Sequence, residues 1–271
     1  MISQALPSAV EWRVQVQNVS KEFPPALGSS TLAISNVSFE VRNHEFLTIV
    51  GPSGCGKSTL LNILAGLAQP TAGTILVDGV EHARRTPFFG YMFQKDLLLP
   101  WRTIVDNVAL GLEVQGVSKA EARREALRVL ERFKLARFGD RYPVQLSVGM
   151  RQRVALMRTL VCDRPVLLLD EPFGALDALT RSVMQEWLLE TWMVERRTVI
   201  FITHDIDESI FLSDRVLIMS SHPGRIKGEF RVPFARPRTH ECLATPEFTE
   251  LKRYVLDQLY DESVKAFQDE A

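Results

Sequence analysis

Short runs of apolar residues recur along this chain, and the polar spacing between them separates strands from helices. Residues 14–19 (VQVQNV) and 37–41 (VSFEV) alternate apolar and polar side chains, the period of a half-buried strand. Pro24, Pro25, Gly28, Ser29 and Ser30 mark a loop between them. Residues 46–50 (FLTIV) and 166–169 (VLLL) are continuous apolar runs, as expected of parallel strands covered on both faces. Residues 198–202 and 216–219 read the same way. Residues 74–77 form a short strand closed by Asp78-Gly79, and 88–93 form another with Gln94 at its end. The segment 225–232, after the turn at His222-Pro223-Gly224, reads as a last strand.

Helical spacing takes over elsewhere. Residues 60–65 follow a glycine-rich loop as a helix. From about 97 to 161 strand signals are few, which predicts a helical insertion into the sheet domain. Within it, residues 120–135 carry Ala122, Ala126, Val129, Leu130 and Phe133 on one face, with Ser118 as N-cap. A long helix is predicted over about 177–194 and a short one ending at about Leu212. A last helix opens at Thr245-Pro246, with Phe248, Leu251, Val255 and Leu259 on one face and a charged, fraying end. Alternating strands and helices predict an α/β fold with a mostly parallel sheet. In such sheets ligands gather at the carboxyl ends of strands.

Composition narrows the field. Apolar residues make up 46 % and charged residues 24 % of 271, ordinary values for a globular chain able to bury a core. A formal net charge of −1 gives no general attraction to nucleic acid or anionic lipid. The three cysteines have no paired spacing, which argues against disulfides and a structural zinc, and for a reducing compartment. The first seven residues lack the basic and apolar regions of a signal peptide. No apolar run approaches the roughly 20 residues that span a bilayer.

The chemistry concentrates at four strand ends. Gly51-Pro52-Ser53-Gly54-Cys55-Gly56-Lys57-Ser58-Thr59 lies between an apolar strand and a helix, the context of a phosphate-binding loop. Its glycines bring backbone N–H groups to phosphate oxygens, and the helix points its positive end at the same anion. Lys57 adds a full charge, and the Ser58 hydroxyl is placed to ligate Mg²⁺. Asp170 ends an apolar run, where a carboxylate is costly without a partner. Mg²⁺ held opposite Ser58 supplies one. Glu171 is placed to orient a water for attack on a γ-phosphate. Gln94 can ligate Mg²⁺ or bond a water, and His204 can donate to the γ-phosphate and steady Glu171. Phe23 reads either as a strand-end core residue or as a platform for a nucleotide base.

Together these residues resemble the ATP-binding subunits of ABC transporters over most of the chain. Gly51–Thr59 is similar to the family's Walker A loop, Gln94 to its Q-loop glutamine, and 166–171 to Walker B with its catalytic glutamate. Gly174-Ala175-Leu176-Asp177 looks like the D-loop, His204 like the switch histidine, and Phe23 falls where an aromatic stacks on adenine. Leu146-Ser147-Val148-Gly149-Met150 sits where the signature motif belongs. The resemblance implies a single P-loop ATPase domain over 1–271, with an antiparallel β subdomain, the helical insertion at about 97–161 and a C-terminal helix and tail at about 240–271. It implies ATP and Mg²⁺ as ligands, with Ser58, Gln94 and Asp170 on the metal and Ser147, Gly149 and Asp177 reaching the nucleotide. It also implies a head-to-tail partner ATPase subunit, a permease served at the cytoplasmic face of the membrane, and indirectly an extracytoplasmic solute-binding protein. Residues 95–102, with Pro100 and Trp101, are the candidate permease contact, unless Trp101 is core.

The signature departs from the family's usual Leu-Ser-Gly-Gly-Gln. Met150 and the stretches 91–102 and 170–178 resemble the nitrate, sulfonate and taurine importers, a group that includes pyrimidine importers. The extra C-terminal domain of sugar-type importers is not expected. Val148 is less usual: a β-branched residue resists φ > 0 and adds bulk near phosphate, which predicts weakened hydrolysis. Other classes are disfavoured. A P-loop kinase or GTPase has no use for Ser147-Val148-Gly149 and would read its base through an Asn-Lys-x-Asp motif, which is not evident. ABC proteins of translation or DNA repair usually carry tandem cassettes or long coiled coils, and neither is seen. A catalytically weak regulatory subunit remains a further alternative.

Overall fold

A computed structural model describes residues 12–24, 30–82 and 85–269. The expected N-terminal region, the loop residues 25–29 and the extreme C-terminus lie outside the described residues. Ten strands and seven α-helices are ordered along the described chain as β1 (Trp12–Phe23), β2 (Thr31–Arg42), β3 (Phe46–Val50), α1 (Lys57–Leu64), β4 (Ala72–Val77), β5 (Val80–Glu81), β6 (Phe89–Met92), α2 (Ile104–Val114), α3 (Lys119–Arg132), α4 (Val148–Leu160), β7 (Val166–Asp170), α5 (Ala178–Glu195), β8 (Thr198–Thr203), α6 (Ile206–Leu212), β9 (Arg215–Met219), β10 (Ile226–Arg231) and α7 (Pro246–Asp269).

The strands form two sheets. One has six strands in the order β10-β9-β3-β8-β7-β6, parallel throughout except at β10. The other is antiparallel, in the order β2-β1-β4-β5. Side chains of the parallel strands alternate between two cores. Leu47, Ile49, Leu168, Ile200 and Ile202 face the antiparallel sheet, with Leu60, Leu61, Ile63 and Leu64 of α1 filling the space between. Phe46, Leu167, Leu169, Val199 and Phe201 face the other way, against α2, α4 and α5. Each such side chain, removed from water, contributes about 1.5–3 kcal/mol. This two-sided burial is why these strands carry no polar alternation.

A third cluster sits at one end of the sheet. Phe248, Val255 and Leu259 of α7 pack on Val50, Val216 and Ile218. Val50 is the last residue of β3, so the C-terminal helix packs beside the start of the phosphate loop.

Several elements refine the sequence reading. Strands β1 and β2 run to twelve residues each, and their pairing passes through register shifts, one of them inside 14–19 between Val16 and Val19. Residues 86–88 form a 3₁₀ turn with Pro87 near its start, and the strand begins at Phe89. Helix α2 carries Asp106, Asn107, Gly111 and Glu113 among its apolar residues, which blurs its period.

Asn107 explains itself in the structure. It is fully buried, and its Oδ1 accepts from the Leu99 N–H at 2.7 Å. Its amide nitrogen lies 3.1 Å from the Leu99 and Arg102 carbonyls and 3.0 Å from that of Thr103. One side chain thus shapes the 97–103 segment. That segment presents Trp101, 72 % exposed, and Leu97, so Trp101 is not a core residue. Replacing Asn107 with Ala leaves buried backbone groups unpaired and is expected to cost about 2–4 kcal/mol. Chemical denaturation of the two chains measures this; a loss below about 1 kcal/mol contradicts the role given to the amide.

Candidate functional site

The loop between β3 and α1 is shaped by what surrounds it. Gly56 sits at φ 95°, and a Cβ there would meet Ile34 Cγ2 at 2.6 Å and the Ala33 carbonyl oxygen at 2.9 Å. Only glycine fits both the backbone and the space. Lys57 is buried, and its Nζ donates to the carbonyls of Gly51 and Pro52, each at 2.8 Å. Cys55 Sγ lies 3.7 Å from the same nitrogen, and burial pushes its thiol up despite that nearby charge. Ser53, Gly54 and Ser58 are exposed at the mouth of the loop, with Pro52 and Thr59 half-buried beside them.

Strand β7 carries its apolar run directly into Asp170. That carboxylate is 3 % exposed, and its Oδ1 has no hydrogen-bond partner among the described residues. Burial pushes its pKa up; Ser58 draws it down, Glu171 adds to the rise, and Lys57 opposes it. A buried, half-satisfied carboxylate beside a hydroxyl and a lysine fits a hard cation with oxygen ligands.

Glu171 takes the left-handed region at φ 47°, uncommon for a side chain other than glycine and costing about 1–3 kcal/mol. Its amide donates to the Ile202 carbonyl at 2.9 Å, and its carbonyl accepts from Gly174 at 3.1 Å. This twist turns the side chain away from the Asp170 direction. Its Oε2 accepts from Gln94 Nε2 at 3.3 Å and lies 3.2 Å from His204 Nδ1. Three residues from the ends of β6, β7 and β8 therefore meet at one carboxylate oxygen.

His204 is exposed, yet the backbone around it is pinned. Thr203 donates its hydroxyl to Glu208 Oε2 at 2.6 Å and accepts from the Asp205 N–H at 2.9 Å. Gln185 of α5 donates to the other oxygen of Glu208 at 3.0 Å. Sequence reasoning passed over Glu208. Its signal was an acidic residue on the apolar side of a short helix, where it is 4 % exposed.

The remaining predicted residues lie outside this cluster. Ser147 caps α4, its Oγ accepting from the Met150 N–H at 3.3 Å. Asp177 caps α5, accepting from the Thr180 N–H at 2.9 Å, and these bonds hold its carboxyl below the usual range. Gly149 packs near Leu176 on the same side. Among the described residues, no hydrogen bond joins Ser147 or Asp177 to the Lys57–Asp170–Glu171–His204 group. Phe23 ends β1 with 42 % exposure and Lys21 Nζ 5.1 Å above its ring, so it is not a core residue.

Val148 requires a correction. It is the first helical residue of α4, outside the left-handed region, and it is 56 % exposed. The strain expected of a β-branched side chain at φ > 0 does not arise. Beyond it, α4 is tied to the strand end that carries Gln94: Gln152 Nε2 donates to the Gln94 carbonyl at 3.4 Å, Arg151 pairs with Asp96 at 3.0 Å, and Arg158 donates to the carbonyls of Asp96 and Leu97.

Comparison with known proteins fits this geometry. Residues 34–174 match the model of the ABC transporter family. An uncharacterised ABC transporter ATP-binding protein of Methanocaldococcus jannaschii is 44 % identical, over 94 % of each chain. A taurine import ATP-binding protein of Rhizobium johnstonii is 42 % identical, over 89 % of this chain and 94 % of that one. A bicarbonate transport ATP-binding protein of Synechocystis is 42 % identical, over 91 % and 88 %. Among solved structures, a dimeric ATP-binding cassette in a post-hydrolysis state with ADP and Pi superimposes with a TM-score of 0.75. It is 32 % identical and covers 82 % of this chain and all of that one. On the strength of these matches and of the loop, carboxylates and histidine they enclose, this chain belongs to the ABC transporter family.

Proposed function

We propose that this chain is the ATP-hydrolysing subunit of an importer, coupling ATP binding and hydrolysis to solute uptake through a membrane permease. The observation that carries the reading is the meeting of Gln94 and His204 at Glu171 Oε2, beside the buried Asp170 and Lys57. A water activated for in-line attack needs such a carboxylate, held at a fixed orientation.

The phosphates bind along the amides of Gly51–Thr59, at the start of α1. Lys57 exchanges its loop carbonyls for the β- and γ-phosphate oxygens. Phe23 stacks on adenine. Ser58, Asp170 and Gln94 would hold Mg²⁺, which would supply charge neutralisation to the phosphates. Glu171 accepts a proton from the attacking water as a new bond forms to the γ-phosphorus and the bond to the bridging oxygen breaks. His204 steadies Glu171 and the departing phosphate.

Ser147, Gly149 and Asp177 lie outside the cluster because they serve the site of a second copy. In that reading two chains pack head to tail, and the positive end of α4 in one reaches the γ-phosphate in the other. The exposed segment 95–102 contacts the permease, and its ties to α4 link that contact to the signature residues. The chain works as one ATPase domain with the 97–161 region inserted, on the cytoplasmic face of the membrane. Among the described residues no helix is long and apolar enough to cross it. A solute-binding protein outside the membrane acts only through the permease. The solute itself meets none of these residues, in keeping with relatives named for taurine and for bicarbonate at equal identity.

Glu171→Gln is expected to keep ATP binding, lower turnover by about a hundredfold or more, and accumulate an ATP-bound dimer visible by size. Retained hydrolysis removes Glu171 as the base. Lys57→Ala is expected to weaken ATP binding itself. With Val148 helical and exposed, Val148→Gly in the assembled transporter is expected to turn over no faster than the parent. A faster glycine variant restores the case for steric hindrance at that position.

A further inference from the structure

The turn between β9 and β10 lies against the phosphate loop. Gly224 is buried there, and a Cβ on it would sit 2.0 Å from the Cys55 carbonyl oxygen and 2.3 Å from Met219 Cε. Its N–H donates to the Ala33 carbonyl at 3.0 Å, and its carbonyl accepts from Ser35 at 2.9 Å. The Ala33–Ile34 segment held in this way is also the one that Gly56 abuts: a Cβ on Gly56 would lie 2.6 Å from Ile34 Cγ2 and 2.9 Å from the same Ala33 carbonyl oxygen. Phosphate loop, β2 and turn are therefore packed together with no spare room. A shift in one displaces the others, because interiors packed this closely transmit strain.

The turn is in turn held by the C-terminal helix. Glu262 of α7, 5 % exposed, accepts from the Ser221 N–H at 3.0 Å and from the Ser221 hydroxyl at 2.9 Å. Its Oε1 pairs with Lys227 of β10 at 3.2 Å, and Lys227 also donates to the Gln258 carbonyl at 2.9 Å. Burial by itself would raise this carboxyl, but the Ser221 and Lys227 donors hold it at about 2, so the contact is ionic at neutral pH. A charged acceptor with three donors is a far stiffer tie than the exposed ion pair of Lys252 with Asp207 on the same helix. Glu262 lies in the half of α7 beyond Phe248 and Val255, which anchor the helix beside Val50.

We propose that Glu262 is a positioning residue for the nucleotide site: through Ser221 it fixes the turn whose Gly224 seats the phosphate loop, so the C-terminal helix sets the loop's affinity for ATP. The proposal rests on the reading of Gly51–Thr59 as that loop. It makes α7 part of the binding apparatus, although the helix carries no residue that touches the ligand.

The test measures binding of a fluorescent ATP analogue, mant-ATP, to the full chain and its variants, well below their melting temperatures. Glu262→Ala is expected to raise the Kd roughly three- to tenfold, within the range for residues that act on a site through packed neighbours. In steady state the KM for ATP rises in step, while kcat at saturating ATP stays within about twofold. Ser221→Ala, which leaves the packing of α7 intact, is expected to raise the Kd less, and the double variant no more than Glu262→Ala alone. A Glu262→Ala chain with a lowered melting temperature but an unchanged Kd overturns the proposal and leaves Glu262 as a helix anchor only. Should Glu262→Ala fail to fold, Glu262→Gln and Ser221→Ala decide the matter, and unchanged affinity in both overturns it. A parent chain that does not bind mant-ATP, or that binds it equally with Lys57→Ala, instead overturns the nucleotide-site reading beneath it.

Discussion

One carboxylate sets the terms for the rest of this molecule. Asp170 stands at the end of a strand buried on both faces, 3 % exposed, with one oxygen unpaired among the described residues. An isolated charge in such a place costs several kcal/mol. The sheet bears that cost because β3 delivers Lys57 and Ser58 to the same place. The two parallel strands β7 and β3, separated only by β8, are thus bound by function as well as by packing. On the reading proposed above, that place is kept for a cation and phosphates; without them a hydrophobic residue at position 170 would serve the fold better.

Around this carboxylate the structure spends conformational strain where it orients chemistry. Glu171 follows Asp170 at positive φ, and its backbone is fixed on both sides by hydrogen bonds to Ile202 and Gly174. The result is two adjacent carboxylates in separate surroundings, one beside Ser58 and Lys57 and one beside Gln94 and His204. The same residues lead outward. Gln94 is tied to α4 through Gln152, and His204 sits between Thr203 and Asp205, which Glu208 locks to α5. Each of these routes ends near residues capped by Ser147 or Asp177, which lie away from the cluster within one chain. On the reading proposed above, a site whose supports lead to these residues is half of a larger one.

Much of this was legible in the sequence for a physical reason. Strands buried on both faces have no polar alternation, so 46–50, 166–169 and 198–202 announce both themselves and the strand ends where chemistry gathers. The phosphate loop is legible because its glycines and lysine recur in a fixed pattern between an apolar strand and a helix, and at Gly56 the fold demands the same residue. What the sequence concealed depends on contacts distant along the chain. Asn107 reads as a flaw in a helix until four backbone groups of the preceding segment are seen around it. Glu208 and Glu262 went unnoticed, yet both are buried against hydroxyl donors. Val148 misled in the opposite direction: a family pattern suggested a strained backbone, and the helix that begins there removes it.

The central claim is that one chain carries half of an ATPase site and a second copy carries the other half. Complementation tests it most directly. Two differently tagged chains, Lys57→Ala and Ser147→Arg, are co-expressed with the permease, and mixed assemblies are purified through both tags. Each variant alone has two defective sites, whereas a mixed pair has one intact loop facing one intact signature. The account predicts ATP turnover in the mixed assembly and none in either parent. A mixed assembly as inactive as its parents, or a Ser147→Arg assembly that hydrolyses ATP at the unmodified rate, contradicts it.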